Sequence, residues 1–304
     1  MSGARPVTLA PFTFEFSAMA SHCEVRLYAD TPAAAQAAAD AAIAEVRRIE
    51  SKYSRYRDDS VTTAINCAAG GDAVVVDEET AGLLDFGAAL HGQSDGRFDL
   101  TSGVLRRVWD FKARRVPSAQ AIEAVLPLIG WQRVEWHERA LRLPVTGMEI
   151  DFGGIGKEYA ADRAGATLIE RGVQHGLVNL GGDVRVIGPA ANGSPWRIAI
   201  QHPRGGPGEV LARLDVAQGA LATSGDYERY FIDNGRRYCH VMDPRTGWPV
   251  DAWQSVSVVA PLAAAAGACA TLAMLQSIPE GLEFLDSQGV RYLAIDSSGR
   301  RHAA

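Results

Sequence analysis

The sequence predicts an α+β fold. Helical and strand-like segments mix without strict βαβ alternation. Residues 176–240 read as a meander of short strands broken by Gly, Pro and Asn, and no repeat, linker or low-complexity block divides the 304 residues. A chain of this length makes one large domain or two closely packed units.

Each element has its own signal. Phe12, Phe14 and Phe16 alternate with small or polar residues, and Val25 and Leu27 continue the alternation after a break, so a strand pair opens the chain. Residues 32–50 read as a helix with Pro32 at its start and an Ala-rich interior. Further helices fit 79–92 and 118–127, the latter opened by Pro117-Ser118. Asp151 to Gly154 end a short apolar strand and lead into a helix from about Lys157 to Arg171. A strand at 254–260, an Ala-rich helix at 262–276 and a last helix–strand pair close the chain.

Composition narrows the class of function. Hydrophobic residues make up 47% and charged residues 22%, with six Trp, so the chain can bury an ordinary globular core. Thirty-six acids against 30 bases give a net charge of −6, which lacks the basic excess of a nucleic-acid binder. The most apolar stretch, Val258 to Leu275, is rich in Ala and contains Pro261 and Gly267, a poor membrane span. Cys23, Cys67, Cys239 and Cys269 form no C-x-x-C pair, so zinc ribbons and thioredoxin-like redox motifs are unsupported. The first twenty residues lack the apolar core of a signal peptide, and the expectation is a cytoplasmic protein.

Six strings are too polar and too rich in Gly to serve packing alone. They are Tyr53-Ser54-Arg55-Tyr56, Gly96-Arg97-Phe98-Asp99-Leu100-Thr101, Asp151-Phe152-Gly153-Gly154-Ile155-Gly156-Lys157, Asn179-Leu180-Gly181-Gly182-Asp183, Thr223-Ser224-Gly225-Asp226-Tyr227 and the run from His240 to Gly247. Glycines before a helix that opens with Lys suit a phosphate, held by backbone N–H groups and a cation, and equally suit a plain strand-to-helix turn. The string is neither a P-loop, since Glu158 follows Lys157, nor a dinucleotide fingerprint, since Tyr159 stands where the third Gly should be. His240, just before Asp243-Pro244, is either a general base on a rigid turn or part of a hairpin whose Asp243–Gly247 segment supplies turn chemistry. The other six His show no metal-ligand spacing. A Ser224–His240–Asp226 triad lacks the G-x-S-x-G elbow.

In series, Y-S-x-Y, G-x-F-D-x-T, D-x-G-G-I-x-K-x-Y-A-x-D, N-x-G-G-D and H-x-x-D-P-x-T-G resemble the ApbE-like flavin transferases, which move FMN from FAD onto a hydroxyl of a target protein. The resemblance runs from Met19 to about Gln276, and it is what points to flavin. It implies a single large two-lobed domain over residues 8–300, with mixed or antiparallel sheets and flanking helices, after a short extension at 1–7. It implies flavin or FAD contacts from Met19, Tyr56, Arg97, Phe98, Asp99, Asp151, Lys157 and Val241. Lys157 suits the pyrophosphate, and His240 corresponds to the suspected base. The implied partners are FAD and an acceptor protein bearing a Thr or Ser; the charge and the apolar runs argue for no nucleic acid and no membrane span, and the number of subunits stays open. The family's Gly-Thr after its Met is here Ala20-Ser21.

The resemblance also implies a magnesium ion, held by the carbonyl of Gly154 and by a D-x-x-x-T pair one helical turn apart on the late helix. Thr271 is present, but the position four residues earlier is Gly267. The family's carboxylate is therefore missing from its place. A water, a neighbouring acid such as Asp226 or Asp243, or a second chain is the expected substitute. The same gap raises a second possibility, an FAD-binding paralogue with lost or altered transfer, including FAD pyrophosphatase activity.

Overall fold

The computed structural model describes residues 9–206 and 208–304. The extension expected at residues 1–7 lies outside the described residues. Among these, the α-helices are α1 (Pro32–Tyr53), α2 (Val61–Cys67), α3 (Glu78–Gln93), α4 (Ala119–Val125), α5 (Gly156–Glu170), α6 (Ala263–Met274) and α7 (Ile278–Ser287). The chain gathers into two compact units. One comprises residues up to Glu50 with Gly156–Thr223 and Val259–Gly267, and the other comprises Ser51–Ile155, Ser224–Val258 and Ala268–Ala304. The expected α+β class holds: antiparallel strand pairs and flanking helices make up both.

In the first unit, strands Ala10–Ala18 (β1) and Ser21–Ala29 (β2) pair antiparallel over their whole length. β1 exposes every second residue and half-buries Phe12, Phe14 and Phe16, which is the period-2 signal read from the sequence. Cys23, Val25 and Leu27 of β2 are fully buried. Beyond β2 the sheet continues through Gly176–Leu180, Asp183–Gly188 and Gly219–Gly225, each antiparallel to its neighbour. α5 lies against Gly176–Leu180 and Asp183–Gly188. Gly165 permits that approach, because a Cβ there would stand 2.8 Å from Arg185 Cγ. The hairpin Trp196–Gln201 with Val210–Val216 completes the meander.

In the second unit, the strand Trp253–Ala260 buries nearly every residue and neighbours Arg291–Asp296, which pairs antiparallel with Arg301–Ala303. A separate aromatic core joins Trp109, Phe111, Phe231, Tyr238 and Trp248. Trp109 Nε1 donates to the carbonyl of Gly247 at 2.8 Å, tying this core to the His240–Gly247 segment.

One expected element is absent. Residues 148–150 form no strand. Ile150 is instead held by the side chain of Asn66, which accepts from its N–H at 2.7 Å and donates to its carbonyl at 3.0 Å. An amide side chain thus does what a neighbouring strand would do for the backbone. The helices expected at 79–92, 118–127 and 262–276 appear within a few residues of those bounds.

Candidate active site

In the first unit the polar strings converge on α5. Lys157, in its first turn, pairs with the buried carboxylate of Asp183 at 2.8 Å, joining the G-G-I-x-K string to the N-x-G-G-D string. Asp183 also accepts from the N–H of Thr223 at 3.1 Å. The Lys157 side chain stays 29% exposed, and this pair holds its ammonium in place. One turn further on, Asp162 accepts from the N–H groups of Ala263 and Ala264 at 2.8 and 2.9 Å. Those are orphan donors at the start of α6, and Asp162 therefore caps α6 from another helix. Arg185 stands 3.3 Å from the same carboxylate.

Between Lys157 and Asp162, α5 turns Glu158 toward α6. A Cβ built on Gly267 would stand 2.6 Å from Glu158 Cγ and 2.7 Å from its Oε1. The Glu158 side chain therefore fills the space a residue at 267 would occupy. Its Oε2 is sealed from solvent and has no hydrogen-bond partner. Burial, reinforced by the charge of Asp183 and opposed by Lys157, pushes its carboxyl up to about 8.

Met19 forms the tight turn between β1 and β2. Met19 and Ala20 both have positive φ, 52° and 57°, and the Met19 N–H donates to Glu50 Oε1 at 2.5 Å.

In the second unit, Asp151 pairs with Arg55 and accepts from the Gly153 N–H at 2.9 Å. Gly103 lets that segment close in, since a Cβ there would lie 2.8 Å from Asp151 Cβ. Arg55 in turn lies over the ring of Tyr56 and donates to its hydroxyl, leaving Tyr56 77% exposed as an open aromatic face. Phe98 packs on Gly154, where a Cβ would come 3.1 Å from the ring. Asp99 is buried and turned inward. It accepts from Thr101 N–H and Oγ1 at 2.7 and 2.6 Å, and from Trp131 N–H at 2.9 Å. Arg97 reaches Glu280 at 3.2 Å.

His240 is exposed, and its N–H donates to the carbonyl of Arg229. The neighbouring Val241 carbonyl accepts from the Val250 N–H at 3.0 Å. Asp243 to Gly247 is a turn: Asp243 accepts from the backbone of Arg245 and Gly247, and Gly247 takes φ +71°. Turn chemistry therefore accounts for Asp243–Gly247. Thr271 Oγ1 shares a 2.8 Å hydrogen bond with Ser224 Oγ.

The structure thus brings Tyr56 and Asp151 together around Arg55, and Phe98 together with Gly154. It sets Lys157 beside Asp183, while Arg97 and Asp99 face other partners. Glu158 is the residue that reading the sequence passed over. Its only signal was an acid next to Lys157, because its nearness to Gly267 arises from helix packing.

The chain belongs to the ApbE family, whose family model matches residues 19–294. It is 29% identical over 255 residues to an FAD:protein FMN transferase of Escherichia coli strain K12, covering 81% of this chain and 73% of the relative. To an FAD:protein FMN transferase of Treponema pallidum strain Nichols it is 32% identical over 270 residues, covering 82% and 74%. Its fold is similar to the crystal structure of the ApbE protein of Thermotoga maritima, with a TM-score of 0.89, 31% identity and 97% of both chains covered. The apo flavinyl transferase ApbE of Pseudomonas stutzeri aligns with a TM-score of 0.85 and 29% identity over 99% and 96%.

Proposed function

We propose that the chain is an FAD:protein FMN transferase. The observation that carries this reading is the family match over residues 19–294, supported by transferase relatives that it covers for about three quarters of their length. In the reaction, a Thr or Ser hydroxyl of the acceptor protein attacks the FMN phosphorus of FAD. A new O–P bond forms, the pyrophosphate bond breaks, and AMP leaves with the bridging oxygen. His240, exposed beside the turn, takes the proton of the attacking hydroxyl. Lys157, oriented by Asp183, neutralises phosphate charge. Tyr56 offers its open face to the isoalloxazine, with Met19 and Val241 as further flavin contacts. Asp99 supports this site by fixing the backbone around Thr101 and Trp131, and Asp151 by holding Arg55 against Tyr56.

A hard cation such as magnesium suits Glu158, which offers an unpartnered buried carboxylate oxygen. Such an ion, when bound, neutralises charge on the pyrophosphate oxygens. The lost-transfer reading suggested by Gly267 gains no support, because a carboxylate-bearing side chain fills the space there. Among the described residues, no helix is long and apolar enough to cross a membrane; a cytoplasmic location is part of the proposal.

Incubation with FAD, Mg2+ and a protein carrying the family's acceptor motif yields a flavin-fluorescent band after denaturing electrophoresis. No band with several acceptors, beside an active control enzyme, refutes transfer. FMN and AMP appearing without acceptor would assign hydrolysis instead.

A further inference from the structure

Three features of α5 and α6 bear on the missing carboxylate. Position 267 carries no side chain, and the volume a side chain would take there is occupied by Glu158, with Cγ, Oε1 and Cδ within 2.9 Å of an added Cβ. Glu158 Oε2 is buried without a hydrogen-bond partner, and burying a carboxylate oxygen in that state costs free energy unless a ligand meets it. α6 is unbroken from Ala263 to Met274, so Thr271 follows Gly267 by one turn on the same helical face. A Glu is one methylene longer than an Asp. From a facing helix, it can deliver a carboxylate to the place an Asp on α6 would supply.

We propose that Glu158 is the carboxylate ligand of this chain's divalent cation, standing in for the Asp that the family resemblance implies at position 267. The cation is of the hard, oxygen-seeking class, and it completes its shell with water and the phosphates of a nucleotide. The nucleotide's identity as FAD rests on the transferase reading; the carboxylate assignment does not. A buried acid that merely packs between helices would leave cation binding untouched when made neutral, and this separates the two roles.

The test is Mn2+ binding followed by the loss of free-ion electron paramagnetic resonance signal, with and without FAD. Wild type, Glu158→Gln and the double variant Glu158→Ala/Gly267→Asp are compared. FAD binding is read separately by flavin fluorescence, and folding by thermal melts. Glu158→Gln, nearly isosteric, stays folded and weakens Mn2+ by about tenfold or more, the scale on which disturbing a metal's ligand shell acts. The double variant regains most of the affinity, because the carboxylate is returned to α6. Unchanged Mn2+ affinity in folded Glu158→Gln overturns the proposal, as does a wild type that binds no Mn2+ in either condition. Mn2+ held through Glu158 in a protein that neither binds FAD nor labels an acceptor would leave this site standing and remove the transferase reading.

Discussion

Replacing Asp162 with Ala tests whether α5 positions α6. The carboxylate accepts two N–H groups at the α6 start, at 2.8 and 2.9 Å, and stands 3.3 Å from Arg185. Loss of a helix cap typically costs about 1 kcal/mol, up to about 2. The negative charge at the helix N-terminus adds about 0.3–1 kcal/mol. Arg185 keeps its hydrogen bonds to the carbonyls of Val186 and Gly219, so it is not stranded by the change. Burial outweighs the pull of Ala264, Ala263 and Arg185 and raises the Asp162 pKa, so desolvation cancels the gain from the charge. What remains is the loss of the cap, about 1–2 kcal/mol. Asp162→Asn, which keeps an acceptor oxygen, costs about half as much. Urea unfolding followed by circular dichroism measures both. A loss below about 0.5 kcal/mol for Asp162→Ala, or equal losses for Ala and Asn, would refute the capping role.

Three further outcomes follow from single residues. Ala20→Gly relieves a side chain held at φ 57° and raises stability by about 1 kcal/mol, read as a higher urea midpoint; an unchanged midpoint contradicts it. Asp99→Ala removes the acceptor for Thr101 and Trp131 and costs about 3 kcal/mol in the same assay, far more than an exposed flavin contact would; a loss under about 1 kcal/mol would show that the carboxylate does not hold that backbone. Burial pushes the Asp296 carboxyl upward, yet Ser298, His302 and backbone N–H groups hold it down at about 2. Its stabilisation is complete above the unfolded value of 3.8 and is lost as pH falls toward 2, so melting temperature drops more steeply there in wild type than in Asp296→Asn; parallel curves would sink this assignment.

Elements with strong local signals were legible in the sequence. The alternation of Phe12, Phe14 and Phe16 gave β1, and the Ala-rich run after Pro32 gave α1. α2 was not read, because its seven residues carry little periodicity and it is announced mainly by its cap, Ser60, which accepts from Thr63 N–H. The strand expected before Asp151 failed because extended backbone needs a partner but not another strand, and Asn66 supplies one. Motif strings named candidate residues in loops and at element ends. They could not show that Asp99 faces inward or that Glu158 lies against Gly267, since both depend on contacts between segments far apart in the chain.

The contact between Glu158 and Gly267 also makes a prediction free of any cation. A Cβ at 267 would stand 2.6 Å from Glu158 Cγ, so an Asp at 267 requires the Glu158 side chain to shift, and two acids brought into one space repel. Gly267→Asp alone therefore forces a shift and costs about 1–3 kcal/mol, the range for overpacking a filled core. In a Glu158→Ala background the same change meets an empty space and costs much less. Residues in contact with no other route of coupling show this as non-additivity, here about 1–2 kcal/mol, whereas distant positions add. Unfolding of wild type, both single variants and the double variant closes the cycle. Additive losses would mean that the two positions do not share one space, and Glu158 would lose its structural claim to the place of a carboxylate at 267.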